Sequence, residues 1–251
     1  MSLHPTLVLT SRYTDDAQRL WLAAIRKGWV VERLQGWRVP DHLRTAARPV
    51  LYLEALMAPR IAAELGLTLL DPAEDWLPRL PEEYRRRSIR LTTLEEARTC
   101  AEPRFIKPPN DKSFPARVYR GADLPAGYAD ETPVLIADVV NWESEFRCFI
   151  LDRHLRTSSL YSRHGELADD GDVSAAETAG LSAFLDTFLN DPRVEVPRAA
   201  AVDVGIIEGK GWAVVECNAA WGAGLYGCDP AEVLEVLLHA VDEKIQSSTA
   251  R

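Results

Sequence analysis

Residues 201–219, AVDVGIIEGKGWAVVECNA, constrain the fold of this chain more than any other stretch. Two apolar runs flank Gly209 and Lys210, a two-residue loop with glycine first, and so predict a β-hairpin. Side chains alternate along a strand with period two, so the turn decides which residues share a face. With that loop Glu208 pairs with Gly211, and Asp203 stands directly opposite Glu216. Asn218, two residues further on, lies on the same face. Like charges set opposite one another destabilise a sheet, and a carboxylate among Trp212, Val214 and Val215 is costly unless something pairs with it. A bound cation would relieve the crowding, because two carboxylates and an amide are a hard ligand set suited to Mg²⁺. The other reading places these groups at a solvated sheet edge or against local backbone. The hairpin alone leaves both open.

The chain around the hairpin falls into two textures. In the first, TLVLTSR (6–12), WVVERL (29–34) and PVLYLEAL (49–56) read as strands. They alternate with two helical stretches, 15–28 and 58–67, whose stops are Gly28 and Gly66. That order predicts a small α/β lobe with a largely parallel sheet, and it carries no GxGxxG dinucleotide fingerprint. Residues 71–88 are rich in proline and charge and read as a connector, with Arg85, Arg86 and Arg87 on a solvated helix face. A capping box from Thr93 to Glu96 then opens a helix. Beyond it, 103–109, 133–141, 144–152, 155–163, 199–207 and 211–219 all read as strands. Helices at 180–190 and 229–246 interrupt and close this set, the second opened by Asp229, Pro230 and a capping box to Glu232. The second texture is α+β with an antiparallel sheet.

Composition narrows the partners. The 251 residues are 47% hydrophobic, enough for a sizeable core in one large domain or two lobes. A net charge of −9 argues against a nucleic-acid backbone as partner, while leaving room for a local cationic pocket. Cys100, Cys148, Cys217 and Cys228 show no CxxC or zinc spacing and read as free thiols of a reducing compartment. The N-terminus carries no signal-peptide pattern and no stretch reaches membrane-spanning length, so a soluble cytoplasmic protein is expected. The histidines form no paired metal spacing. Asp169, Asp170 and Asp172 around Gly171 read as an acidic loop without the downstream ligand that a calcium site needs.

An aspartate on one strand, then Glu-x-Asn on the next, running into a glycine-containing loop, resembles the metal-binding core of the ATP-grasp superfamily. D-alanine–D-alanine ligases and glutathione synthetases belong to it. The separation of 13 residues between Asp203 and Glu216 is similar to the short-hairpin form of that motif. FIKPPNDKSF (105–114) resembles the lysine strand and phosphate loop of the first subdomain, though without the usual glycines. VLIADVVNWESEFRCF (134–149) resembles the hinge strand on which adenine rests. Lys107 with E-x-R and E-x-N-x-x-W-G is most similar to the clade named for two conserved arginines and one lysine.

The resemblance implies an ATP-grasp fold, with an α/β plus α+β make-up and ATP in the cleft between subdomains. Residues 1–80 would form a pre-ATP-grasp lobe, 81–135 the lysine-strand subdomain and 136–251 the metal- and ribose-binding subdomain. It implies that Asp203, Glu216 and Asn218 bind two Mg²⁺ ions bridging the ATP phosphates, and that Lys107 and Lys112 reach those phosphates. Asp138, Val139, Val140 and Asn141 would contact the base, and Glu145 the ribose. Arg147 would be one of the two arginines and Arg163 the other, with Arg156 and Arg198 as alternatives. The implied activity is ADP-forming carboxylate–amine ligation through an acyl phosphate, with small-molecule or peptide substrates. The loop Trp221-Gly222-Ala223-Gly224 would let backbone approach the acceptor. The alternatives are a nucleotide-binding module without ligation and a small-molecule kinase on the same fold. A homodimer is the default assembly.

Overall fold

The computed structural model describes residues 4–46, 48–110, 113–168 and 173–243. The N-terminal lobe runs β1 (Thr6–Leu9), α1 (Asp15–Arg26), β2 (Val30–Arg33), β3 (Pro49–Tyr52), α2 (Ala58–Glu64) and β4 (Leu67–Leu69). Its three-stranded sheet is parallel, in the order β2-β1-β3. Thr14 caps α1 by accepting from the Ala17 amide at 3.1 Å, and Asp15 and Asp16 place negative charge on the positive end of the helix.

Two short helices, α3 (Trp76–Arg79) and α4 (Glu82–Arg85), form the connector. α4 stops at Arg86, which takes a left-handed conformation with φ 47°. Four elements build the next sheet with its helix: β5 (Ile89–Thr93), α5 (Leu94–Arg98), β6 (Arg104–Lys107) and β7 (Arg117–Tyr119). β8 (Pro133–Ala137) completes an antiparallel sheet in the order β5-β8-β6-β7. Thr93 caps α5 as expected, but the Glu96 carboxylate bonds Thr92 and Arg90 rather than closing the capping box.

The large sheet contains β9 (Trp142–Leu151), β10 (His154–Arg163), β11 (Glu166–Leu167), β12 (Ala199–Ile207) and β13 (Gly211–Ala219). It is antiparallel throughout, in the order β11-β10-β9-β12-β13. α6 (Ala175–Asn190) starts five residues before the expected helix, because Ser174 and Glu177 form a full capping box. α7 (Pro230–Leu237) is shorter than expected. Asp229 caps it by accepting from Ala231, Glu232 turns instead to Arg156, and the chain continues as β14 (Val241–Glu243) against β4. Residues 244–246 of the expected helix, with Lys112, Asp169, Asp170, Gly171 and Asp172, lie outside the described residues.

The hairpin differs from expectation in two places that cancel. Its loop has three residues, Glu208 to Lys210, closed by the Lys210 amide donating to the Ile207 carbonyl at 2.9 Å. Gly209 and Gly211 carry the positive φ of 69° and 81° that this turn demands and other residues resist. The extra loop residue offsets the strands by one, so Val204 pairs with Val214. A bulge at Val215 then restores the register, and Asp203 pairs with Glu216.

The two faces of this sheet have different companions. Phe146, Cys148, Ile150, Val202, Val204 and Val214 pack beneath α6 with Trp76, Leu77 and Tyr84 of the connector. On the other face Phe149, Leu151, Ala199 and Ala201 join the core of the N-terminal lobe and α7. α7 also lies on α1, with Lys27 bonded to Glu235 at 2.6 Å. Among the described residues no helix is long and apolar enough to cross a membrane.

Candidate active site at the seam between two sheets

Lys107, the last residue of β6, donates to Glu216 of β13, which ties the small sheet to the large one. Asn218 donates its carboxamide to Glu216 Oε1 at 2.9 Å and approaches Asp203 Oδ2 at 3.4 Å. Arg147 of β9 grips Asp203 with both arms of its fork, Nε to Oδ1 at 2.6 Å and Nη2 to Oδ2 at 2.7 Å. Its third arm donates to the Gly224 carbonyl at 2.9 Å. Five side chains from four strands thus form one unbroken polar chain. The alternation of β9, β12 and β13 makes this possible, since Arg147 pairs with Asp203, which pairs with Glu216.

Two aromatic rings roof Arg147. Tyr161 and Tyr226 stack with centroids 4.7 Å apart, and the guanidinium carbon lies 5.8 and 5.0 Å from their centres. The Tyr161 hydroxyl donates to Glu145 at 3.1 Å. Tyr226 adopts a left-handed backbone, φ 51°, in the loop that Arg147 holds through Gly224.

Electrostatics follow burial and partners. Burial pushes the Asp203 carboxyl up to about 7, against the pull of Arg147. Burial disfavours the Arg147 cation too, but Asp203 outweighs it and holds the guanidinium protonated. Burial also opposes the Glu216 charge, yet Lys107 and the Asn218 bond bring that carboxyl down to about 2. Glu145 is raised by burial.

The hinge residues line the exit of β8. Asp138 accepts from Arg104 at 2.6 Å and from the Ser88 amide at 2.9 Å. Val139 is exposed, Val140 half-buried, and Asn141 donates to Glu208 at 3.0 Å. Arg163 does not join the cluster. A bulge at Tyr161, between Leu160 and Ser162, turns Arg163 onto the α6 face, where Glu177 takes it at 2.9 Å. Arg156 and Arg198 are ion-paired at the surface with Glu232 and Asp152.

Sequence reasoning missed three contributors. Arg87 is buried, not on a solvated helix face, and its guanidinium carbon lies 4.9 Å from the Trp142 ring centre. Burial lowers its pKa to about 10. Trp142 in turn lies over Gly205, where an added Cβ would come within 2.9 Å of the ring and 2.4 Å of the Ser144 carbonyl oxygen. The available signal for Arg87 is its place between a helix end and a strand start. Tyr161 and Tyr226 carry no sequence mark.

The donor chemistry fits a hard cation. Among the described residues no three His, Cys, Asp or Glu side chains gather, so the oxygen set is two carboxylates and the Asn218 carboxamide. Glu216 and Asn218 face the cleft, while Asp203 stands fully buried behind them with both oxygens engaged by Arg147. A carboxylate has about four lone-pair sites, so each retains accepting capacity.

Residues 84–236 match a family described as an ATP-grasp domain, family 2 of the clade named for two arginines and one lysine. No curated protein matches the chain. Among solved structures it is similar to a RimK domain ATP-grasp protein from Sphaerobacter thermophilus, at 18% identity and TM-score 0.55, covering 94% of this chain and 99% of that one. The macrocyclase MdnC from Microcystis aeruginosa, bound with its precursor peptide MdnA, gives 12% identity and TM-score 0.53 over 93% and 99%. The ATP-grasp ligase PsnB, complexed with a variant of its minimal precursor, Mg and ADP, gives 14% and 0.51 over 95% and 98%. These likenesses establish the fold, in which mixed α/β lobes flank antiparallel sheets. With more than half of its length matched by the family, the chain belongs to the ATP-grasp domain proteins, in family 2 of the two-arginine, one-lysine clade.

Proposed function

We propose that this protein is an ADP-forming ligase that activates a substrate carboxylate for attack by an amine. The observation that carries the reading is the continuous chain Lys107–Glu216–Asn218–Asp203–Arg147 across the seam between the sheets. It gathers cations and hard oxygens at one place, as transfer of a phosphoryl group requires. ATP would supply the phosphoryl group that converts the carboxylate into an acyl phosphate, from which the amine displaces phosphate. Glu216 and Asn218 at the front, with Asp203 behind, would hold Mg²⁺ ions, two in number. Lys107 would leave Glu216 for the phosphates, and Arg147 would neutralise charge on the reacting acyl group. Asp138 to Asn141 would receive the base and Glu145 the ribose, with Lys112 as a further phosphate contact.

Lobes at 1–80, 81–135 and 136–251 divide the work in this reading, and the protein acts in the cytoplasm. The peptide precursors bound by MdnC and PsnB support peptides as a substrate class. The test is ADP release with Mg²⁺ against a panel of amino acids and peptides, with products identified by mass. Glu216→Ala is expected to abolish acceptor-dependent ADP release. Undiminished turnover in that variant, or a stable phosphorylated product in place of an amide, would overturn the proposal.

A further inference from the structure

The three-residue hairpin loop sets β13 one residue out of step with β12. Continued without interruption, that register would pair Val202 with Glu216 and Ala201 with Cys217. A slip of one residue exchanges faces, so Glu216 and Asn218 would turn under α6 and Cys217 would turn into the cleft. The bulge at Val215 prevents this, yet β13 is the edge strand of its sheet, and among the described residues no strand flanks the bulge on its outer side.

The connector pins it instead. Successive carbonyls of a regular strand point to opposite edges, but at the bulge those of Val214 and Val215 turn the same way. Arg87 meets both, Nη1 donating to Val214 at 2.8 Å and Nη2 to Val215 at 3.0 Å. Nη1 also bonds the Arg85 carbonyl at 2.9 Å, and Arg86 donates to the Trp212 carbonyl at 3.0 Å along the same edge. Among the described residues no carboxylate lies within ion-pair distance of Arg87. Its planar fork serves backbone oxygens, a pairing that a single ammonium cannot copy.

We propose that Arg87 is a positioning residue, whose guanidinium clamps the β13 bulge and thereby holds Glu216 and Asn218 on the Asp203 face. Its importance for catalysis rests on the ligase reading above; the clamp itself does not. Alkylation of the full chain with iodoacetamide, mapped by peptide mass, reads the register directly. Cys217 is half-buried in the wild type. In Arg87→Met, which loses both clamp bonds, it is expected to alkylate at least about tenfold faster, since loss of even one charged hydrogen bond shifts the populations by about that factor. The buried Cys148 and Cys228 should stay unreactive and so separate a slip from global unfolding. Arg87→Lys, which keeps the charge and loses the fork, should behave alike and carries the test if Arg87→Met does not fold. Wild-type labelling of Cys217 in both variants, or a rise shared with Cys148 and Cys228, would overturn the clamp. If Cys217 responds as expected while the wild-type protein ligates nothing, the clamp stands and the ligase reading falls.

Discussion

At a pH above the raised Asp203 pKa of about 7, Asp203→Asn removes one charge from the most enclosed ion pair among the described residues. The side chains of Arg147 and Asp203 are 7% and 1% exposed, so water cannot replace what the substitution takes away. Asparagine keeps the shape and can still accept from one arm of the fork, but its amide nitrogen then faces the other arm, donor against donor. Arginine cannot shed its proton, and the guanidinium is left buried without a counter-charge. Breaking a buried pair in this way costs about 3–5 kcal/mol, out of a total stability of about 5–15 kcal/mol. For a chain of this size each kcal/mol corresponds to about 2–4 °C in Tm, which gives a fall of about 6–20 °C. Urea denaturation measures the free energy and thermal melts the shift. The double variant D203L/R147M, with both charges gone, should be more stable than D203N. The reasoning is refuted if D203N lies within about 0.5 kcal/mol of wild type, or if the double variant is the less stable of the two.

Two further perturbations probe the neighbourhood. Gly205→Ala places a methyl 2.4 Å from the Ser144 carbonyl oxygen and against the Trp142 ring. It should cost about 1–3 kcal/mol in urea denaturation, since backbone cannot give way as a flexible side chain would. Glu216 titrates from 4.5 in the unfolded chain to about 2 when folded, so the stability it contributes is present above pH 4.5 and lost as pH falls towards 2. Glu216→Gln has no such proton to gain. Its urea midpoint should vary less than that of wild type across this window, and an identical pH dependence would argue against the Lys107–Glu216 pairing.

The facing of Asp203 and Glu216 was legible because strand alternation is local and the apolar pattern marks both strands. The means of reaching it were not. A loop one residue longer and a bulge at Val215 offset one another, and the bulge is held by Arg87, a residue more than a hundred positions away. Arg163 shows the same limit with the opposite outcome. An unbulged β10 would have kept it on the face of Arg147, and the extra residue at Tyr161 turned it towards Glu177. The start of α6 at Ser174 could have been read from its capping box. The end of α7 could not, because β14 forms only where β4 offers an edge.

The packing of α7 on α1 bears on how the chain is made. Leu20, Ala23 and Ala24 of α1 belong to the same core as Val233, Leu234 and Leu237 of α7, although about 200 residues separate the two helices. At ribosomal rates of about 5–20 residues per second, α1 waits roughly 10–40 s for its partner to be synthesised. Throughout that interval the nascent lobe presents an apolar stripe to its surroundings, so chaperone capture and early proteolysis would act on the N-terminal third before the catalytic cleft exists.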